Sequence, residues 1–157
     1  MEEVIAFVKK AEKYLRSSEV LIFEDDYDSS VSRTYYAIFH LASALLKTKN
    51  ISVSTHKGVH AQFAEQFVKT GIFPKESSQL FRESFDDRQV GDYDALEMIE
   101  KRSAQKLLER GKEFLKEVKW GWSHFRPQIV GANLQDRPAF VAFFLLSQRA
   151  FWIKVRD

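Results

Sequence analysis

Apolar residues recur at helical steps along most of this chain. Over residues 3–23, Val4, Val8, Ala11, Leu15, Ser18 and Ile22 repeat at alternating steps of three and four, with lysines and glutamates between them, predicting a first amphipathic helix. Glu24–Asp26 marks a turn, and Asp28, Ser29 and Ser30 offer caps for a second helix through Lys49. That helix is apolar on two faces: Val31, Tyr35, Ile38, Ala42 and Leu45 on one, and Ser32, Tyr36, Phe39, Ser43 and Leu46 on the other. A helix dry on two sides is central in a bundle or shared with a partner chain. Ser54 or Thr55 caps a third helix to Lys69, with Val59, Phe63 and Phe67 inward and Gly71 suited to its end. After Pro74, Ser77–Arg88 reads as a short fourth helix on Phe81 and Phe85. The run Asp86–Asp94 reads as a loop that turns at Gly91. A long fifth helix covers Ala95–Lys119, capped by Asp94 with Glu97, along a stripe of Leu96, Ile99, Ser103, Leu107, Gly111, Leu115 and Val118.

The pattern predicts an all-α protein: an antiparallel, up-and-down four-helix bundle with an extra short helix over residues 1–119, then a C-terminal extension over 120–157. The extension differs in character. It holds all three tryptophans and no glutamate, and Trp120-Gly121-Trp122 interrupts the helical pattern. Phe140–Leu146 fits a short helix or a strand equally. Three readings of this extension stand: a docking segment covering an apolar face, a membrane or partner hook, or a stretch foreign to the domain.

Charge sharpens the division. Residues 120–157 carry five Lys/Arg against two Asp/Glu, whereas residues 1–119 carry nineteen against twenty. The basic character therefore belongs to the extension, and the body lacks the broad basic field of non-specific nucleic-acid binders. With no cysteine in its 157 residues, the chain has no disulfide or thiolate metal site, which fits a reducing cytoplasm. The start, MEEVIAFVKK, has no uninterrupted apolar core of the signal-peptide kind. The longest apolar run, Ala139–Leu146, is eight residues, far from the ~20 of a membrane span.

Candidate chemistry concentrates at Arg88. It shares a helix face with Phe81 and Phe85, so a permanently charged fork ends an oily stripe and must find acceptors. Asp92 and Tyr93 return a carboxylate and a phenol to its neighbourhood. A structural ion pair with Asp92 or Asp87 and a phosphate-gripping role are both open to it. Arg33 and His40 lie on one side of the second helix and can point toward the same loop. His56 and His60 have the i, i+4 spacing of metal ligands, but no third ligand and no HExxH glutamate accompany them, so they read as solvated histidines with no metal. No Gly-rich phosphate loop or nucleophile triad is present, and no cofactor is implied.

Taken together, the ordered set Tyr27–His40 (YDSSVSRTYYAIFH), Thr55–Val59 (THKGV), Phe67–Ile72 (FVKTGI) and Arg88 through Asp92-Tyr93 resembles the HEPN family, over residues 1–118. The resemblance implies a helical bundle that dimerises. Many members are metal-independent RNase toxins neutralised by a small nucleotidyltransferase encoded beside them. Their site is an arginine followed four to six residues later by a histidine, and two such sites face each other across a dimer. Arg88 matches the arginine, whereas Tyr93 stands at the histidine's place, giving Arg-x4-Tyr. A phenol holds its proton at neutral pH, where an imidazole shuttles one. The resemblance thus implies catalytic residues Arg88 and Tyr93, nucleotide or RNA contacts from Arg88, Asp92, Arg33 and His40, and a cytoplasmic homodimer with a nucleotidyltransferase partner. The alternative is a non-catalytic helical adaptor that dimerises through its second helix.

Overall fold

A computed structural model describes residues 2–93 and 99–131, with side chains described up to Asp92 and from Ile99 to Gly121. Every regular element among them is helical: α1 Glu2–Phe23, α2 Tyr27–Thr48, α3 His56–Phe63 followed by a π-helical turn Ala64–Val68, α4 Lys75–Tyr93 and α5 Lys101–Gly131. The all-α bundle is as expected. The extra short helix is α3, however, and not the fourth element.

α2 forms the centre. It packs against α1, α3, α4 and α5, which accounts for its two apolar faces. Thirteen of its residues are buried, including Val31, Tyr35, Ile38, Leu41 and Leu45. Its N-cap is Asp26, which accepts from Ser29 N–H; Asp28 lies in the first turn instead. The α1–α2 contact is sealed by hydroxyls. Ser18 Oγ lies 2.8 Å from both Ser30 Oγ and Thr34 Oγ1, and all three residues are fully buried. Thr55 caps α3 by accepting from Gly58 N–H, and Gly71 takes φ +75° at the turn after the π segment. Phe63 anchors α3 among Phe67, Phe73, Phe81 and Phe114, with ring centroids 5.7–6.3 Å away.

Three expectations are corrected. First, Asp86–Tyr93 is not a loop: α4 runs 19 residues, through Gly91 to Tyr93. Glycine and acidic residues signal a turn, but here the Arg88–Asp92 pair supports the helix at i, i+4 and Gly91 meets a packing need. A Cβ at Gly91 would lie 3.2 Å from Asp28 Cβ and 3.3 Å from Asp28 Cα, so α4 crosses the start of α2 at backbone contact. Second, α5 begins at Lys101, and Ile99 precedes it with its N–H donated to Asp28 Oδ1 at 3.2 Å. The inward residue of its first turns is Ala104, while Ser103 is exposed. Asp94–Met98, with the predicted cap at Asp94, lie outside the described residues. Third, α5 continues through Trp120-Gly121-Trp122 to Gly131, so the predicted break is absent. Phe140–Leu146 lies outside the described residues.

The Gly91 contact gives a test. Alanine gains about 1 kcal/mol of helix propensity over glycine, while strain against a backbone neighbour typically costs about 1–3 kcal/mol. Since Asp28 Cα belongs to another helix, the strain should win. Gly91→Ala is expected to lose about 1 kcal/mol in urea unfolding, against a gain of similar size if the helices part freely.

Candidate functional site

The candidate site stands on the outer rings of α2. Tyr35 is fully buried and Tyr36 partly so, with ring centroids 5.3 Å apart. α4 lays Arg88 on them: its guanidinium carbon is 5.6 Å from the Tyr35 ring centre and 5.3 Å from that of Tyr36. Phe85, one turn earlier, packs edge-on against Tyr35 at 5.6 Å. This aromatic seat explains how a charge can end an apolar stripe, because the ring faces attract the cation. The Arg88 side chain is 14% exposed and that of Asp92 29%.

Asp92 neutralises Arg88 incompletely. Its Oδ2 lies 2.9 Å from Arg88 Nε, yet the N–H does not aim at it, and this buried Nε has no hydrogen-bond acceptor among the described residues. The pair is therefore a charge contact that leaves hydrogen-bonding capacity unused, and an unsatisfied buried donor is costly. Asp87 does not serve Arg88. It is half-buried near Glu83 and Asp86, and burial first, then those carboxylates, raises its pKa. Glu83 itself pairs with Arg110 of α5, which lowers its pKa.

Not every expected contributor reaches Arg88. Arg33 is exposed and lies over Tyr14 of α1, 5.5 Å from its ring centre. His40 is buried against the same ring at 5.5 Å and against Phe7 at 5.7 Å. Both thus gather at Tyr14, which in turn stacks on Tyr36 at 6.0 Å. His40 Nδ1 is buried with no hydrogen-bond partner among the described residues, and burial, with Lys10 and His56 adding to it, pushes the His40 pKa down to about 4. Tyr93 is the last residue of α4; its side chain lies outside the described residues.

The residue misread from the sequence is His56, which is partly buried and hydrogen-bonded rather than simply solvated. It opens α3, its Nδ1 is 2.6 Å from Tyr35 Oη, and its ring lies 4.6 Å from Phe39 and 6.0 Å from Tyr36. Burial, then the charge of Arg88, lowers its pKa. His60 also has separate work, with Nε2 3.2 Å from Ser78 Oγ and its ring 4.9 Å from Phe81. The i, i+4 spacing therefore serves two packing partners, and no cluster of three or more metal-ligating residues exists among the described residues. Thr55-His-Lys-Gly signalled only where α3 starts.

A family model described as "HEPN domain" matches residues 4–120. The chain belongs to the HEPN family. Among HEPN relatives, a protein of Methanocaldococcus jannaschii named "Putative toxin" is 41% identical over 117 residues, covering 74% of this chain and 80% of its own. A "UPF0332 protein" of Thermotoga maritima is 35% identical, over 73% of this chain and 87% of its own. A second M. jannaschii protein named "Putative toxin" is 33% identical, over 74% and 92%. The helical bundle is that expected of a HEPN chain, and no helix among the described residues is long and apolar enough to cross a membrane.

Proposed function

We propose that this HEPN protein is the toxin-like half of a two-component system, and that Arg88 is its contact with the phosphate of RNA or a nucleotide. The observation that carries this reading is the guanidinium itself. It is seated on Tyr35 and Tyr36, mostly shielded from water, and its Nε has no hydrogen-bond acceptor among the described residues. A forked cation in such a place favours a phosphate, which accepts from several N–H groups at once. Two relatives bearing the name "Putative toxin" support the toxin-like assignment. A homodimer would bring two Arg88 sites together, and a small nucleotidyltransferase is the partner expected to restrain them. The family match ending at residue 120 supports residues 1–119 as the HEPN unit and 120–157 as an extension.

The test is fluorescence anisotropy with a 5′-labelled 12-residue oligouridylate at low salt. Arg88→Ala is expected to bind at least tenfold more weakly while keeping its helical circular dichroism, about 1.4 kcal/mol of lost contact. Equal binding by the variant rejects the reading.

A second reading is a non-catalytic adaptor that dimerises and holds a partner. Asp92 favours it, since a carboxylate at 2.9 Å already opposes part of the Arg88 charge. Light scattering and RNA cleavage separate the two: the adaptor is a stable oligomer that leaves single-stranded RNA intact.

A further inference from the structure

An arginine alone makes a poor anion site when a carboxylate is its neighbour. His56 supplies what α4 does not. It reaches the aromatic platform from α3, and it and Arg88 both pack on Tyr35 and Tyr36.

Tyr35 decides which face of the imidazole is offered. The phenol is fully buried, and burial pushes its pKa up to about 12, so the hydroxyl keeps its proton. Its one hydrogen-bond partner among the described residues is His56 Nδ1, at 2.6 Å. Were Nδ1–H the donor, the Tyr35 hydrogen would be left buried with no acceptor, at a cost of about 1–3 kcal/mol. The hydroxyl therefore donates to Nδ1, and in the neutral ring the remaining hydrogen sits on Nε2. Burial and the Arg88 charge both keep the ring neutral. A neutral imidazole in this tautomer is an N–H donor that adds no repulsion to Arg88, and an anion accepts from it readily.

We propose that His56 is a second ligand-contacting residue of the Arg88 site, donating Nε2–H to a phosphodiester oxygen, and that Tyr35 is the positioning residue that fixes its tautomer. This rests on the reading of Arg88 as a phosphate contact. It places the site's imidazole on α3, outside the Arg-x4-Tyr segment.

The test has two arms on the full-length protein. In the first, long-range proton–nitrogen NMR spectra of the ligand-free protein, assigned with His56→Gln, read the tautomer. The expected result is Nε2–H in the wild type and a mixed population in Tyr35→Phe. A wild-type ring protonated at Nδ1 overturns the proposal without touching Arg88. In the second, the labelled oligouridylate is titrated. His56→Ala is expected to bind about fivefold more weakly, His56→Gln within twofold because its amide can donate, and Tyr35→Phe about threefold more weakly. If Arg88→Ala weakens binding and both His56 variants match wild type, His56 is excluded and the phosphate reading stands. If Arg88→Ala also binds normally, or the wild type does not bind, the phosphate reading falls and takes this proposal with it.

Discussion

Phe63→Ala is expected to remove about 4 kcal/mol of stability, a large part of what a domain of this size possesses. Phe63 has no exposed surface, and its ring meets Phe67 of the π turn, Phe73 of the following turn, Phe81 of α4 and Phe114 of α5. Those neighbours are held by four different parts of the chain. They cannot all close on an alanine, so the lost transfer energy is joined by the cost of a cavity. α3 has only eight residues and little helix stability of its own, so its attachment depends on this ring. Urea unfolding with an unchanged m-value should show the loss. Phe23→Ala serves as the control, because Phe23 is 84% exposed and its removal should shift stability by no more than about 0.5 kcal/mol. A loss below about 1 kcal/mol at Phe63 would mean that the aromatic cluster is not the clamp described.

Acid should weaken the bundle through His40. The residue is 7% exposed, and burial, then Lys10 and His56, takes its pKa from 6.5 down to about 4. The unfolded chain therefore takes up this proton first. Stability from a neutral His40 is fully present above pH 6.5 and is lost as pH falls toward 4. Between pH 7.5 and 4.5 the loss amounts to about 2.5 kcal/mol from this one ring. Glu117 works in the opposite direction: burial, then Glu113, raises its pKa to about 7, so its contribution grows as the carboxyl gains its proton. Comparing wild type with His40→Leu cancels Glu117, which both proteins carry. The wild type should lose about 2.5 kcal/mol more than the variant over that interval, and parallel pH profiles would contradict the assignment.

Periodicity revealed the helices and the two dry faces of α2, which left it either central or shared with a partner chain; its packing against four other helices makes it central. It misread Gly91. Glycine beside aspartates has a strong local preference for turns, whereas the requirement that overrode it is the backbone of Asp28, distant in sequence and 3.3 Å away in space. The fifth helix illustrates the same limit, since Ser103 and Ala104 differ by one position in the stripe and only the packed neighbours choose between them. At the candidate site, the sequence brought Asp92 or Asp87 near Arg88 by way of a loop, whereas the structure pairs Arg88 with Asp92 one helical turn on. Arg33 and His40 were not, because the direction in which a side chain leaves α2 depends on where Tyr14 of α1 lies. His56 was misread as solvated because its partner, Tyr35, is 21 residues away and meets it only after α3 has folded across α2.

The three hydroxyls of Ser18, Ser30 and Thr34 act as a key in a lock between α1 and α2. Sliding one helix along the other by a single turn would leave Ser18 one of its two partners and strand the other hydroxyl in hydrocarbon, so the present axial setting is favoured. That setting is what lays Tyr14 beside Tyr36. The ring that backs the arginine's seat is thus placed by three small alcohols that never touch it.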